Sequence, residues 1–398
     1  MDPYYVDFLG MLVRWLHIIA GIAWIGSSFY FIWLDNSIEP PPAGSDAAKK
    51  GVGGELWAVH GGGFYNPQKY TVAPAALPEK LHWFMWEAYT TWLSGTALLV
   101  LTYWIRAQAM MVDQNVAALS AWQAVGVGAA SMVASWIVYD LLCRSPLGRT
   151  KALGPVVFAL MVGLTWGLTH LLGGRAAYIQ VGACIGTIMV ANVFFLIIPG
   201  QRRMVEAMRA GRAPDPRDGQ RAKQRSVHNN YFTLPVLFTM ISNHYGATYS
   251  HPHSWAVLAL IGAAGVSIRH FFNLKHKGVY RWQYPAFGAV LLGVTAWWTA
   301  PHPLPLPPVE GEVNFNRVRA IIGQRCAVCH SPGPTFPGIT APPAGVLLHT
   351  PADILKNAPR IYQQVIVTRI MPLGNVTQVT DQERAVIAAW IKAGAKAE

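Results

Sequence analysis

Cys326-Ala327-Val328-Cys329-His330 is the stretch from which the fold of this chain is read. Two thiols separated by two residues and followed at once by a histidine are what covalent haem c attachment needs. The thioethers fix the porphyrin edge, and the imidazole reaches the iron. Downstream, Arg369-Ile370-Met371-Pro372 offers a thioether sulfur, and the proline ends helical geometry so that the methionine can project from a loop. Cys326 and Cys329 are therefore the expected attachment points, with His330 and Met371 as the metal ligands. A zinc or redox reading of the CxxC is set aside, because no second ligand pair exists and the following histidine and distal methionine would be unexplained. Upstream, residues 313–325 read as a helix with Val318, Ile321 and Ile322 on one face. Downstream, Thr380-Asp381-Gln382-Glu383 is a capping box opening an amphipathic run that carries Val386, Ile387 and Trp390. The proline-rich stretch 331–351 reads as loop able to wrap a haem edge.

Residues 313–398 as a unit resemble a small class I cytochrome c. Haem c attachment implies an oxidising, extracytoplasmic face. The remaining 312 residues are of another kind, since the 398-residue chain is 53% hydrophobic and only 13% charged, which is a membrane-protein composition. Its 16 tryptophans fit the same class, because tryptophan collects at bilayer interfaces. Of the 4 cysteines, two belong to the haem motif, and Cys143 and Cys184 lie in apolar stretches, so no disulfide framework is implied. No cleavable signal is expected: residues 1–7 carry no Lys or Arg, and the apolar stretch behind them is too long for a signal core.

Eight stretches are long and apolar enough to cross a ~30 Å hydrocarbon core: 8–34, 81–105, 121–142, 153–171, 176–199, 227–245, 254–273 and 282–300. With the N-terminus outside, the inner loops hold 18 Lys and Arg and the outer loops only Arg106 and Arg175. That asymmetry sets the orientation, and it accounts for most of the net charge of +12 without nucleic acid. An even number of crossings returns the chain to the outer face, where a haem c domain must be. Pro301-His302-Pro303-Leu304-Pro305-Leu306-Pro307-Pro308 reads as a stiff spacer within a linker over 301–312. The expectation is thus an all-α chain: a polytopic membrane helix bundle of about eight transmembrane helices over 1–300, the linker, and the cytochrome c domain. Loop 35–80 contains His60-Gly61-Gly62-Gly63, but no G-x-S-x-G elbow accompanies it, which leaves a glycine-rich inner loop folding back toward the bundle.

Ionisable groups in hydrocarbon are costly and mark functional candidates. In the outer half lie Arg14, His17, His170 and His244, with glycines beside His17 and His170 that leave room for something flat. Two readings are open: a non-covalent haem b held by His17 with His170 or His244 opposite, or interfacial histidines bonded to backbone or water. The inner half holds His82, Glu87, Asp140, Asn192, His228, Asn229, Asn230, Arg269 and His270. Glu87, Thr90, Thr91 and Ser94 share one polar face that a lipid-facing helix would not carry. Against a shared cavity stand local alternatives: snorkelling of Arg269 and His82, and an i,i+4 pair of Asp140 with Arg144.

Over essentially its full length the chain resembles the bacterial membrane-bound urate oxidase (urate hydroxylase) family with a fused C-terminal cytochrome c domain. The resemblance rests on the first helix from Arg14 to Gly26, the loop from His60 to Tyr70, Leu81-His82-Trp83 through Glu87, and the haem motif. Its first helix also looks like that of haem-binding membrane families such as the bacterial protoporphyrinogen oxidase. The resemblance implies oxidation of urate to 5-hydroxyisourate. Electrons would leave through the cytochrome to a soluble cytochrome c or terminal oxidase outside a bacterial inner membrane, rather than to oxygen. Urate is a planar anion, so a buried site needs a cation with matched donors and acceptors. Arg269 is the expected cation, with Asn229 and His82 also binding and His228, His270 and Glu87 handling protons. Two other classes stay open, a cytochrome b–c quinol dehydrogenase subunit and a haem-based sensor.

Overall fold

The computed structural model describes residues 3–70, 73–300, 305–337, 339 and 341–397. The chain is 67% helical. All eight predicted apolar stretches are helices: α1 Pro3–Ser37, α2 Trp86–Leu99 continued by a π-helical Val100–Trp104, α3 Ala121–Arg144, α4 Leu153–Thr169, α5 Gly174–Arg209, α6 Pro216–Ile241, α7 Ser254–Lys275 and α8 Gln283–Trp298. Four of them, α1, α3, α5 and α7, are long and apolar enough to cross a membrane; α4 is apolar but shorter. The start of α6 runs further back than the apolar pattern suggested, into Arg217, Arg221, Lys223 and Arg225. Asp215 caps it through a 2.9 Å bond from the Arg217 amide.

α5 is the axle of the bundle. Its residues 174–191 are mostly buried, and α2, α3, α4 and α6 pack around it. A helix buried on all sides must satisfy its polar groups inside the bundle. Gln180 accordingly donates to Gly128 O at 2.8 Å, and Tyr178 donates to Ser254 O at 2.6 Å. α1 packs on α2, α6 and α7, and α8 covers the outside of α7.

The long loop after α1 departs from the all-α expectation. Strands β1 Val52–Glu55 and β4 Gln68–Tyr70 pair antiparallel, as do β2 Ala58–His60 and β3 Gly63–Tyr65. Gly61 and Gly62 form the inner turn with φ of +56° and +80°. A two-residue hairpin turn needs positive φ at both positions, which is why glycines stand there. Asp35 ties the loop to the bundle by pairing with Lys69 of β4 and, at 2.8 Å, with Lys223 of α6.

A second core belongs to the C-terminal unit: α9 Phe315–Arg325, α10 Pro351–Ile361 and α11 Asp381–Lys392. The capping box at Thr380 is formed as expected. A second one, Thr350 with Asp353, opens α10, which the loop reading of 331–351 stops just short of. Pro301 to Leu304 of the expected spacer lie outside the described residues. Leu306 and Val309 pack on the C-terminal core, and Gln382 Nε2 donates to Pro308 O at 3.2 Å. The free part of the linker is therefore shorter than 301–312, because its apolar side chains find a core to join.

The close approach of α5 and α6 is set by Gly182, where a β-carbon would stand 2.2 Å from Thr239 Oγ1. Gly182→Leu is expected to force the two helices apart at a cost of about 1–3 kcal/mol or more. The check is the thermal midpoint of the detergent-solubilised protein, which should fall by several degrees. An unchanged midpoint would mean the helices do not meet there.

Candidate functional site

A helix turns about 100° per residue, so neighbours in sequence point to different sides. Along the seam where α6 meets α7 this separates two polar groupings. On the α1 side, Arg269 Nε donates to Asn230 Oδ1 at 2.8 Å, and Asn273 Nδ2 donates to the same oxygen at 3.0 Å. The Arg269 guanidinium lies 4.1 Å from the Phe29 ring centre, a desolvated cation–π contact. Arg269, Asn230 and Asn273 are 5%, 0% and 8% exposed. Four buried atoms here have no partner among the described residues: Arg269 Nη2, Asn230 Nδ2, Asn273 Oδ1 and His276 Nδ1. Arg269 and His276 line a cavity of about 470 Å³ whose other walls include Phe29, Tyr30, Trp33 and Phe272. The arrangement offers a cation, an amide donor, an amide acceptor and an imidazole among aromatic rings.

On the other side of the seam, Tyr139 Oη lies 2.7 Å from His228 Nδ1, and Tyr231 Oη lies 2.6 Å from His270 Nδ1. Both histidines line a second cavity, of about 600 Å³, between α4, α6, α7 and α8. Asn192 Nδ2 donates to Tyr139 Oη at 3.2 Å and to Asn229 Oδ1 at 2.8 Å. Nearer the basic end, Asp140 pairs with buried Arg225 at 2.7 Å and with Arg144 at 2.6 Å, which realises the expected i,i+4 pair. The sequence grouping of Asn229, His228 and His270 with Arg269 is therefore corrected. Asn229 faces α5, where its Nδ2 donates to Met189 O at 2.9 Å, and the two histidines face the second cavity. Arg269 is joined instead by Asn230, Asn273, His276 and Phe29. The residues 269, 273 and 276 recur at i, i+4, i+7, the signal that could have found the last two.

A family model described as urate oxidase N-terminal matches residues 3–300, three quarters of the chain. The chain belongs to the urate oxidase N-terminal family. Neither the curated proteins nor the solved structures contain a match to it. Membership ties residues 3–300 of this urate oxidase relative to a urate-related function and to oxidoreductase chemistry, and leaves the C-terminal unit outside the match.

In that C-terminal unit Cys326 and Cys329 follow α9 directly. His330 Nδ1 lies 2.9 Å from Val346 O. A carbonyl only accepts, so Nδ1 carries the hydrogen and Nε2 keeps its lone pair, the tautomer a metal-binding imidazole needs. Met371 packs against the same core as Cys326. Buried Arg384 holds its loop by donating to Met371 O at 3.2 Å and to Val365 O. Burial pushes the Cys326 thiol up to about 12 and raises that of Cys329. Among the described residues no group of three or more His, Cys, Asp or Glu gathers around a common point, so no further ligands complete a zinc site at these thiols. Thiols, imidazole and thioether together fit haem c.

His17 Nδ1 lies 3.0 Å from Thr91 O, which again leaves Nε2 with its lone pair, and its ring fills the space over Gly95, where a β-carbon would stand 2.8 Å away. His170 is not opposite. It is exposed on α4, which packs on α5 and α7, and its Nδ1 is 2.7 Å from Trp166 O of its own helix. His244 is exposed in the turn Ser242–His244 that ends α6, a helix that does pack on α1. Glu87 stands in the first turn of α2, and among the described residues its carboxylate has no hydrogen-bond or ion-pair partner. His82 is exposed, its ring edge-on to Phe84 at 4.6 Å.

Among the described residues Asp140 is the one acidic partner of the buried Arg225. In the urate oxidase relative, Asp140→Ala is expected to cost on the order of 3 kcal/mol by leaving that charge uncompensated. Replacing both residues, Asp140→Leu with Arg225→Met, should recover most of the loss. Thermal unfolding of the purified variants measures both effects, and a single variant as stable as the parent would contradict the pairing.

Proposed function

We propose that the chain is a membrane-embedded enzyme that oxidises urate to 5-hydroxyisourate. Urate would bind in the cavity between α1 and α7. What carries the reading is the set of four unpartnered buried atoms around Arg269, within a chain of the urate oxidase N-terminal family. Each unpaired buried donor or acceptor costs roughly 1–3 kcal/mol, so a ligand that matches those it can reach is favoured over an apolar one. Two of the four line the cavity, and a urate anion matches these: its charge and a carbonyl answer Arg269 Nη2, and a ring N–H donates to His276 Nδ1, while Asn230 holds the guanidinium in place. Phe29, Tyr30, Trp33 and Phe272 supply flat walls and exclude bulk water. The overall change is urate plus water giving 5-hydroxyisourate, two protons and two electrons, so the new oxygen comes from solvent. His276 lines the cavity and is able to receive a proton, and Glu87, in the first turn of α2, is the carboxylate proposed to take the other.

All eight long helices cross the membrane in this reading. The N-terminus and the C-terminal unit lie on the periplasmic side of a bacterial inner membrane, and the basic loops lie inside. The C-terminal unit is a class I cytochrome c. Cys326 and Cys329 would attach haem c, with His330 and Met371 as its ligands, and the group would supply a one-electron acceptor suited to passing electrons to a soluble cytochrome c or a terminal oxidase. His17 would hold a haem b, with His244 the remaining candidate opposite. Gly95→Val is expected to displace the His17 ring and lower the haem b content in a pyridine haemochrome assay, while the haem c content stays at one per chain. Finding only c-type haem in the parent protein would remove the haem b.

The urate reading is tested by anaerobic mixing of the full chain with urate while the haem c absorbance is followed. Reduction is expected. Arg269→Ala should raise the half-saturating urate concentration at least tenfold, more than it lowers the maximal rate. Glu87→Gln should slow urate-driven reduction, and neither variant should alter reduction by dithionite. A parent protein that urate does not reduce would overturn the function, and normal saturation in Arg269→Ala would overturn the site.

A further inference from the structure

We infer that the 600 Å³ cavity on the far side of the α6–α7 seam binds an isoprenoid quinone, its ring held by His228 and His270. The inference rests on the urate reading only for the source of electrons. The site itself stands on hydrogen-bond logic. Tyr139 Oη accepts from Asn192 and lies 2.7 Å from His228 Nδ1, which also has Cys143 Sγ at 3.9 Å. The Tyr231 hydroxyl lies 2.6 Å from His270 Nδ1. With each hydroxyl donating, the imidazole receives a bond at Nδ1 and carries its hydrogen on Nε2, the reverse of His17 and His330. Neither Nε2 has a partner among the described residues, and both rings line the cavity. Two N–H donors thus serve two acceptor oxygens, while the tautomer does not suit an iron ligand.

The rest of the cavity selects against other lipids. No Lys, Arg, Asp or Glu lines it among the described residues, so a phospholipid headgroup finds no countercharge. From His228 to Thr239 the lining follows α6 over roughly 16 Å at 1.5 Å per residue, long enough for a ring with the first part of a tail. Phe287 lines it while 55% exposed, so the space opens on the flank of α8, where a bilayer-dissolved ligand arrives. Tyr284 closes the polar end, edge-on to His270 at 4.5 Å.

A quinone here takes both electrons of the reaction: urate plus water plus quinone gives 5-hydroxyisourate plus quinol. The two protons released on one side equal the two taken up on the other. Asn230 and Tyr231, like Arg269 and His270, are consecutive, so a single helix layer separates donor and acceptor. Quinol then returns electrons one at a time to a one-electron acceptor such as the C-terminal unit.

The test uses the full chain purified from native membranes and decylubiquinone as the added probe. Solvent extraction should recover about one quinone per chain, and at most a tenth of that from His228→Phe with His270→Phe. After extraction, decylubiquinone should rebind to the parent with a half-saturating concentration at least tenfold below that of either single variant. Gly262→Leu, which fills the tail channel and leaves both imidazoles in place, should weaken rebinding by a similar factor. Equal quinone content and equal rebinding in parent and variants would overturn the site. A parent reduced by urate that neither holds nor rebinds quinone would overturn this inference and leave the urate reading standing. A quinone that depends on both histidines in a protein indifferent to urate would do the opposite.

Discussion

The turn of a helix against its neighbour governs the chemistry of this bundle. α6 and α7 lie side by side, and each presents two consecutive polar residues, Asn230 with Tyr231 and Arg269 with His270. Because such neighbours diverge by about 100°, one of each pair faces α1 and the other faces α4 and α8. The Arg269–Asn230 and Tyr231–His270 hydrogen bonds are both interhelical, and each fixes the register that the other needs. Sliding either helix by one residue would break both and leave a guanidinium unpaired in apolar surroundings, which is costly enough to specify the alignment.

The partner at Nδ1 then divides the histidines by chemistry. Where it is a backbone carbonyl, as for His17, His170 and His330, Nε2 retains a lone pair. Where it is a tyrosine hydroxyl that donates, as proposed for His228 and His270, Nε2 carries a hydrogen. A sequence shows the imidazole but not the atom across from it, so the free nitrogen of each could not be read from the chain.

The helices were legible because apolar length and charge asymmetry are one-dimensional properties, and all eight predicted stretches are helical. The C-terminal helix was legible because a capping box is local. The hairpins after α1 were not, since their strands are three or four residues long and glycine-rich, and their pairing depends on Asp35 reaching Lys69 and Lys223 across the fold. Arg269 was recognised as the membrane cation, but its company was misread. Asn229 is drawn to Asn192 and Met189 O on α5, and only the neighbouring helices decide whether residue 229 or 230 turns toward Arg269. His170 lies within reach of its own Trp166 carbonyl, a bond that competes with any ligand role.

Two cavities on one seam also bear on a mismatch of electron number. Urate oxidation yields two electrons, whereas a haem accepts one, so a direct hand-over would leave a purine radical waiting in a pocket walled by oxidisable Tyr30 and Trp33. A two-electron store one helix layer away shortens that wait. The residues that would serve it are poor at competing roles: His228 and His270 hold their hydrogens on the atoms a metal would need, and no fixed charge in their cavity would attract urate itself. The α1 cavity has the opposite character, with a buried cation. The division of labour follows from which side chains the seam turns each way, so exchanging Arg269 with His270 would carry the cation into the cavity that His228 lines.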